Sequence, residues 1–426
     1  MVALSLMTSV LLARFLGPDG RGLLLALTFW PGFLSGIFRL SVNEALVYHT
    51  AKVSDEETAV RQRRFATAGF AIQSVIAVLT TLATVLIMQW VLPGDRQAHL
   101  STVLWYAAVF TPLSVLDVHF KSVLQGRGDF KALNTVRLCQ PVGYVVALLV
   151  LVFLNQLNVE AVMIAIVCAL SFSLTVSWVF AGLNLETPNE GASTELLKSG
   201  WVFHKANLVL YAAAEADKLI VLSLMDDTRT GFYAVALAIS LVGSGLVVQS
   251  LGLVLARQMA GSPTIDTQRA VFLRNFHTAF ILLLGLNGLA ALITPTLLPI
   301  LFGSAFGPAV STAIILLAMG VFLGLRQISD RAMRATHNTR IGITGEALAI
   351  AGILLFATTG ASLGGLEGLA AGLVLAQLTA LVVVIVMVSR TLHFSLFELW
   401  PFRRDVIVWL YSIVRDEVVA GWSRLR

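Results

Sequence analysis

The chain has 426 residues, of which 57% are hydrophobic and only 12% are charged, against roughly 25% charged in an ordinary soluble domain. A soluble fold of this size has too little interior to bury that much apolar surface, so lipid must surround much of the chain. Apolar runs of about 20 residues recur along the whole sequence, which is the length needed to cross about 30 Å of hydrocarbon. Period-2 alternation is missing from these runs, which argues against an outer-membrane barrel.

The apolar runs predict about twelve membrane-spanning helices. Their approximate bounds are 1–13, 22–47, 65–92, 101–124, 134–154, 158–182, 199–223, 231–256, 272–301, 307–325, 339–358 and 367–389. The first run is shorter than a full crossing, so its helix is expected either to be tilted and partial or to start upstream of Met1. The connections are short, and none is long enough for a soluble catalytic domain. The sequence therefore predicts an all-α polytopic membrane protein.

The basic residues predict the orientation of these spans. Placing both termini in the cytoplasm puts 23 of the 29 Lys and Arg residues on the cytoplasmic side, and only Arg14, Arg21, Arg96 and Arg229 outside. An excess of cytoplasmic Lys and Arg is the usual pattern of multi-pass proteins. The net charge of +5 then reflects loops that face anionic lipid, so membrane lipids are expected partners and nucleic acid is not.

Two similar turns indicate an internal repeat. Residues 17–22 (GPDGRG) resemble residues 226–231 (DDTRTG), and each turn is followed by a long apolar helix. Duplicated halves are common in transporters, where the substrate path lies between them. We therefore predict an N-terminal six-helix bundle over 1–182, a cytoplasmic linker over 183–198 and a C-terminal six-helix bundle over 199–389.

The C-terminal segment 390–426 has a different pattern from the spans. From Val406 to Leu425 the apolar residues recur at three- and four-residue steps, with charged residues between them. This spacing predicts an amphipathic helix that lies on the cytoplasmic face of the membrane.

Charged side chains inside membrane spans are costly and normally face protein or water, so each is a candidate for function. They are Arg39 and Glu44 in the second predicted span, Asp117 in the fourth, Glu215, Asp217 and Lys218 in the seventh, and Glu346 in the eleventh. Such groups in one protein indicate a hydrated cavity. For two pairs, Glu215 with Lys218 and Asp117 with Lys121, the alternative is an internal ion pair that only satisfies itself.

The seventh predicted span carries the longest polar stripe. The residues of this stripe step by three or four positions, so they share one helix face; they are His204, Asn207, Tyr211, Glu215 and Lys218. Shorter stripes are Ser35, Arg39 and Asn43 in the second span, and Ser114, Asp117 and Lys121 in the fourth. A stripe of this kind in a membrane helix needs a water-filled cavity or a polar partner helix.

Arg39 is the strongest single candidate. On a continuous helix Glu44 would lie about 140° round from it, so Arg39 has no opposite charge on its own face. It needs a partner from another helix or from a substrate.

The sequence shows no arrangement that predicts catalysis or a cofactor. It contains no Gly-rich phosphate loop before a helix, no cluster with metal-ligand spacing and no nucleophile–base constellation. The two cysteines, Cys139 and Cys168, fit no metal or disulfide spacing and are expected to pack as small apolar residues.

Four segments resemble a known family. Residues 11–22 (LLARFLGPDGRG) are similar to the A-R-x-L-G-P-x-x-x-G signature of bacterial polysaccharide flippases, the Wzx-like branch of the MOP superfamily. This superfamily also includes MATE drug exporters and lipid II flippases. Residues 43–48, 216–236 and 298–306 are similar to the family's segments at the second helix, the seventh-to-eighth helices and the ninth-to-tenth turn.

This resemblance implies two six-helix bundles around a central cavity that opens alternately to either side of the plasma (inner) membrane. Its implied cargo is an isoprenoid-diphosphate-linked oligosaccharide, and polysaccharide polymerase machinery is an implied partner. Cations would bind the diphosphate, and sugar contacts complete a substrate site of Arg39, Lys218, Arg14, Asn207 and Tyr211. Acids would bind a coupling H⁺ or Na⁺, for which the candidates are Glu215, Asp217, Glu44 and Asp117.

Two other function classes remain open at the level of the sequence. A MATE-like exporter of small organic cations would have a path dominated by acids rather than by Arg39 and Lys218. A membrane-embedded glycosyltransferase or polymerase generally needs a sizeable extracytoplasmic loop, and the longest predicted outside loop has about eight residues.

Overall fold

A computed structural model describes residues 2–51, 57–92, 94–182 and 190–399. In this part of the chain all regular secondary structure is helical, as the sequence predicts. The α-helices are α1 Val2–Phe38, α2 Val42–Ala51, α3 Glu57–Val91, α4 Leu100–Gly126, α5 Phe130–Phe153, α6 Val159–Ala181, α7 Glu190–Leu224, α8 Asp227–Ala260, α9 Ile265–Phe302, α10 Ala309–Ala335, α11 Thr339–Gly352 and α12 Thr358–Leu392. The amphipathic helix predicted after Val406 lies outside the described residues.

Within the described ranges, nine helical segments are long and apolar enough to cross a membrane, against about twelve predicted spans. Most of the first two predicted spans falls in one segment, Leu4–Phe38, and the last two fall in another, Thr339–Leu392. Each of these segments is interrupted by a glycine in a non-helical conformation, Gly17 in the first and Gly365 in the second. The seventh span corresponds to α7, which carries the polar stripe.

The second predicted span, 22–47, is not one continuous helix. Helix α1 ends at Phe38 and α2 begins at Val42, because Leu40 and Ser41 have positive φ angles of 54° and 50°. A side chain with positive φ ends a right-handed helix. Arg39 and Asn43 therefore do not share a helix face, and the predicted stripe that joins them to Ser35 is wrong.

The helices form two compact units. The first contains Met1–Val235 and Leu301–Phe306, and the second contains Ala236–Ile300 and Gly307–Arg426. In the first unit, α7 packs against α1, α2 and α3. In the second, α12 packs against α10 and α11. The bundle boundaries at 182 and 199 were inferred from the repeat in the sequence, and they stay a prediction.

The outer face of α3 exposes large apolar side chains. Large apolar side chains on this face recur at helical spacing and are more than half exposed; they are Val75, Leu79, Leu82, Leu86 and Trp90. Trp90 is the most exposed of them, at 88%. A soluble protein rarely presents a continuous apolar stripe of this length, whereas a membrane helix turns it toward lipid.

The two similar turns of the sequence meet inside the first unit. An added Cβ on Gly22 would lie 1.7 Å from the carbonyl oxygen of Asp227, and one on Gly231 would lie 2.0 Å from that of Pro18. Thr228 also donates a hydrogen bond from its hydroxyl to the Asp19 carboxylate. Close backbone approach of this kind requires glycine, as at many contacts between membrane helices.

The second unit contains a buried ion pair within its helices. Arg326 of α10 is 3% exposed, and its guanidinium lies 2.8 Å from the Glu346 carboxylate of α11. It also donates to the side-chain oxygen of Gln377 of α12 at 3.1 Å. The sequence analysis placed Arg326 in a cytoplasmic loop, which is wrong because α10 continues to Ala335.

Glu346→Gln is expected to lower the melting temperature of the purified protein by several degrees. The substitution leaves the Arg326 charge buried without its counter-charge, which destabilises a fold more than the loss of an exposed pair. Thermal unfolding in detergent measures the effect. Glu367→Gln, at an exposed carboxylate of α12 that accepts a hydrogen bond from Ser311, is the control. Equal melting temperatures for the two variants would contradict a structural role for the buried pair.

Candidate functional site

Arg39 lies where α1 ends, and part of its guanidinium has no partner. Its side chain is partly buried, and its Nε is buried without a hydrogen-bond acceptor in the described residues. The ionisable groups that act on it electrostatically are Tyr211, Glu44 and Asp117. A buried guanidinium donor normally finds an acceptor, so the Nε of Arg39 keeps a donor that a ligand could use.

The polar stripe of α7 faces the segment that carries Arg39. Asn207 donates from its amide to the hydroxyl of Ser41 at 3.1 Å, and Tyr211 donates to the carbonyl of Gly32 at 3.1 Å. The Tyr211 ring stacks on Phe33 with a centroid distance of 5.9 Å. The structure therefore brings three of the predicted substrate-binding residues, Arg39, Asn207 and Tyr211, into one region of the first unit.

Gly36 provides the space for this arrangement. A Cβ at residue 36 would lie 2.2 Å from the ring of Tyr211, so only glycine allows the ring to sit against α1. Tyr211 is in electrostatic range of both Arg39 and Glu215. The ring is therefore close to both Arg39 and the Glu215 end of the α7 stripe.

Glu215 and Lys218 form an ion pair on α7. The Lys218 Nζ lies 2.7 Å from the Glu215 carboxylate, and both side chains are more than one-fifth exposed. The opposite end of the stripe is closed, because His204 is buried and packs against the ring of Trp201. This geometry is compatible with either alternative from the sequence, a self-satisfied pair or a pair that lines a cavity.

Asp117 is the most completely satisfied of the candidate acids. Its carboxylate lies 2.5 Å from the Lys121 Nζ, and it accepts hydrogen bonds from Ser173 at 2.9 Å and Ser177 at 3.2 Å. Asp117 is 3% exposed. Three donors satisfy this buried carboxylate, so the cluster holds α4 against α6.

Asp217 lies off the stripe and faces the start of α8. One of its carboxylate oxygens accepts a hydrogen bond from the hydroxyl of Tyr233, a fully buried side chain. The other, Oδ1, is buried and has no hydrogen-bond donor among the described residues. Among the candidate acids, Asp217 therefore has a buried carboxylate oxygen that accepts no hydrogen bond from the described residues.

The remaining two candidates, Arg14 and Glu44, are exposed. Arg14 is exposed on α1, before the break at Gly17, and donates from Nε to the carbonyl of Leu301 at 2.7 Å. Glu44 is an exposed residue in the first turn of α2. The contacts described for Arg14 are not with the region around Arg39 and Tyr211.

The sequence did not predict two polar contacts of the first unit. Gln73 of α3 is fully buried and donates to the Asn43 side chain at 2.8 Å. Arg96, which was assigned to an outside loop, is 4% exposed. It lies 2.8 Å from the Asp227 carboxylate and donates to the Leu222 carbonyl at 3.0 Å. A lone glutamine inside an apolar run is the signal that identifies Gln73, whereas no local signal distinguishes Arg96 from a solvated loop residue.

The described residues contain no group of three or more His, Cys, Asp or Glu side chains that could hold a metal ion. The groups in the region of Arg39 that could bind a ligand include this cation, the amide of Asn207 and the phenol of Tyr211. These groups bind anions and hydroxyl-rich ligands through hydrogen bonds.

Comparison with solved structures identifies the fold. The chain is similar to an inward-facing multidrug resistance MATE family transporter of the MOP superfamily, with a TM-score of 0.79 and 12% identity over 92% of this chain and 95% of that one. It is also similar to the lipid II flippase MurJ in an inward closed conformation, with a TM-score of 0.76 and 13% identity over 97% and 90% of the two chains. At these identities the likeness establishes the fold alone.

Comparison of sequences identifies the family. A search of curated proteins finds no match to this chain. A family model described as polysaccharide biosynthesis protein matches residues 11–311, which is most of the chain. The match includes the turn at 17–22 and the whole polar stripe of α7. The chain therefore belongs to the polysaccharide biosynthesis protein family and is a multi-pass membrane protein with the fold of MOP-superfamily transporters.

Proposed function

We propose that this protein is a flippase that moves an isoprenoid-diphosphate-linked oligosaccharide across the plasma membrane by alternating access. The observation that carries the proposal is Arg39, a partly buried cation with an unpartnered guanidinium nitrogen beside the polar face of α7. The family supports a role in polysaccharide biosynthesis, and the MOP fold supports transport. The proposed protein binds and releases its cargo without a chemical step, so it is not an enzyme.

The physical problem of this transport is the polar head of the cargo. A diphosphate and several sugar hydroxyls cannot cross hydrocarbon unaided, because each unpaired polar group there costs several kcal/mol. Arg39 and Lys218 would neutralise the diphosphate, and the fork of the guanidinium matches phosphate oxygens. Asn207 would donate its second amide N–H to the sugar, and the Tyr211 oxygen would accept a hydrogen bond from a sugar hydroxyl. Arg14 would act before the break at Gly17, near its contact with Leu301.

Asp217 is the acid best suited to couple an ion. Its open, buried Oδ1 offers an acceptor to H⁺ or Na⁺, whereas Asp117 and Glu215 already have cationic partners. Glu44 is exposed and is the weaker alternative. A proton or ion bound at Oδ1 would reduce the negative charge of the carboxylate and weaken the hydrogen bond that Oδ2 accepts from the Tyr233 hydroxyl, and so would change the contact between α7 and α8.

The membrane assignment is part of the same proposal. The protein is proposed to lie in the inner membrane. The distribution of Lys and Arg favours an orientation with both termini in the cytoplasm. Flipping would deliver the cargo from the cytoplasmic leaflet, where sugars are assembled, to polymerase machinery on the other side.

A MATE-like exporter of small organic cations is the second candidate, because the likeness to a multidrug transporter is strong. Arg39 and Lys218 argue against it, since cations repel a cationic substrate. A growth assay with cationic drugs separates the two: a flippase leaves resistance unchanged when the protein is overproduced, and an exporter raises it.

The proposed function is tested with proteoliposomes that contain the purified protein. We expect translocation of a fluorescently labelled isoprenoid-diphosphate-linked oligosaccharide, measured by its accessibility to a membrane-impermeant quencher. Matched vesicles without protein are the control, and imposed H⁺ and Na⁺ gradients identify the coupling ion. Equal rates with and without protein would reject the flippase assignment.

The ion pair of α7 is tested in the same assay with Glu215→Ala, Lys218→Ala and the double variant. If Lys218 binds diphosphate, the double variant is expected to be at least as slow as Lys218→Ala, because the lost cation is not replaced. If the two residues only satisfy one another, the double variant would recover the wild-type rate. Recovery would therefore remove the pair from the substrate site.

A further inference from the structure

Helices α1, α4, α5 and α6 line an open cavity of about 650 Å³ in the first unit. One part of its wall is polar and contains Ser5, Thr8, Lys121, Arg137, Gln140 and Tyr144. The rest of the wall is apolar and includes Ile166 and Ala169. The cavity thus combines a basic surface with an apolar one, which are the two surfaces that an amphiphilic anion needs.

The charge of the cavity wall is positive. None of its described lining residues is acidic, and two are cations. Lys121 is held by the Asp117 carboxylate at 2.5 Å, so part of its charge is already balanced. Arg137 is exposed and forms no ion pair or hydrogen bond with any residue of the described part of the chain. Its guanidinium donors are therefore available to an anion.

The depth of the two cations matches the headgroup region of a bilayer. Lys121 lies five residues before the end of α4 at Gly126, and Arg137 lies seven residues after the start of α5 at Phe130. With a rise of 1.5 Å per residue, both lie within about 10 Å of the loop between these helices. Basic pockets between membrane helices at this depth are suited to anionic lipid headgroups.

We propose that this cavity binds the phosphate group of a membrane lipid. Arg137 and Lys121 contact the phosphate, Tyr144 and Gln140 supply further hydrogen-bond donors, and the chain of the lipid lies along the side of Ile166. Phosphate is common to anionic phospholipids and to isoprenoid diphosphates, so either lipid fits this chemistry. The proposal rests on the cavity and its charges and does not depend on the proposed transport function.

The test measures binding to the full-length protein purified in detergent. Three short-chain probes are titrated: phosphatidylglycerol, farnesyl diphosphate and the neutral phosphatidylcholine. Arg137→Gln is expected to weaken binding of an anionic probe by about fivefold, the effect of one cation near a phosphate. Lys131→Gln is the matched control, because it removes one exposed charge from the same helix outside the cavity. Ile166→Trp fills the cavity without a change of charge, and is expected to weaken the same probe.

The three probes decide the source of the phosphate. An Arg137 effect on phosphatidylglycerol alone assigns the cavity to a phospholipid of the leaflet, and an effect on farnesyl diphosphate assigns it to isoprenoid diphosphates. Equal affinities of Arg137→Gln and Lys131→Gln for every probe would overturn the proposal. It would also be overturned if Ile166→Trp, folded by its melting temperature, bound the anionic probes as tightly as the wild type.

Discussion

Alanine at Gly22 or at Gly231 is expected to lower the free energy of unfolding by about 3 kcal/mol, at the upper end of the usual cost of overpacking. The new Cβ would lie 1.7 Å from a carbonyl oxygen in the first case and 2.0 Å in the second. Those oxygens belong to the backbone, so no side-chain rotation relieves the contact. The two turns must separate, and the contacts between α1 and the start of α8 are then lost.

The contact has the symmetry of the repeat. Gly22 and Gly231 occupy equivalent positions of the two turns, and so do Pro18 and Asp227, each pair 209 residues apart. Gly22 meets the carbonyl of Asp227, while Gly231 meets the carbonyl of Pro18. A reciprocal contact of this kind is the pattern of a two-fold axis. Both positions should therefore respond alike to substitution.

Matched glycines separate the clash from the general effect of alanine. Gly32 lies in α1 and Gly245 lies in α8, and an added Cβ at either position meets nothing within 4 Å. Alanine there is expected to leave the melting temperature unchanged or to raise it, because alanine favours helix more than glycine does. Thermal unfolding of the four single variants in detergent is the measurement. A melting temperature for Gly22→Ala equal to that of Gly32→Ala would contradict the close contact.

The helix positions were largely predictable because membrane helices have strong local signals. The predicted span 134–154 corresponds to α5, Phe130–Phe153, and the span 158–182 corresponds to α6, Val159–Ala181. Polar capping residues define where these helices begin: Asp129 accepts from the Ala132 amide at 3.0 Å, and Asn158 accepts from the Ala161 amide at 2.9 Å. An apolar run bounded by a capping residue predicts a helix from sequence alone.

The break between α1 and α2 was not predictable in the same way. Residues 39–41 contain neither glycine nor proline, and their sequence RLS continues the helical pattern. The positive φ of Ser41 accompanies a tertiary contact, since its hydroxyl accepts a hydrogen bond from Asn207, 166 residues further along the chain. The candidate site depends on this break, because it separates Arg39 from the start of α2.

The sequence predicted which residues share a helix face, but not which residues of other helices they contact. The spacing of α7 correctly placed Asn207 and Tyr211 on one face, as both contact the segment 32–41. The sequence gives no means of knowing that Arg326 is buried against Glu346, because the two residues lie on different helices. Counting Lys and Arg residues in each loop does not distinguish a solvated arginine from a buried one. Whether an arginine has a buried partner depends on how the helices pack.

Arg39→Ala is expected to slow translocation of the lipid-linked oligosaccharide by about 10- to 100-fold, because one hydrogen bond to a charged group contributes about 1.5–3 kcal/mol. The guanidinium Nε is buried without an acceptor in the described structure, so its binding capacity is not used by the fold. In cells the variant should accumulate lipid-linked precursor while protein abundance stays normal. The proteoliposome assay and precursor extraction measure the two effects.

Arg39→Lys distinguishes charge from geometry. Lysine keeps the positive charge but lacks the planar fork that holds two phosphate oxygens, so we expect a rate between those of the wild type and Arg39→Ala. Lys131→Ala, which removes an exposed charge from α5, is the control and should translocate at the wild-type rate. Because Tyr211 lies beside Arg39, Tyr211→Phe should weaken cargo binding less than Arg39→Ala and leave the fold intact. Wild-type translocation by Arg39→Ala would show that the diphosphate binds elsewhere, and would remove Arg39 from the transport mechanism.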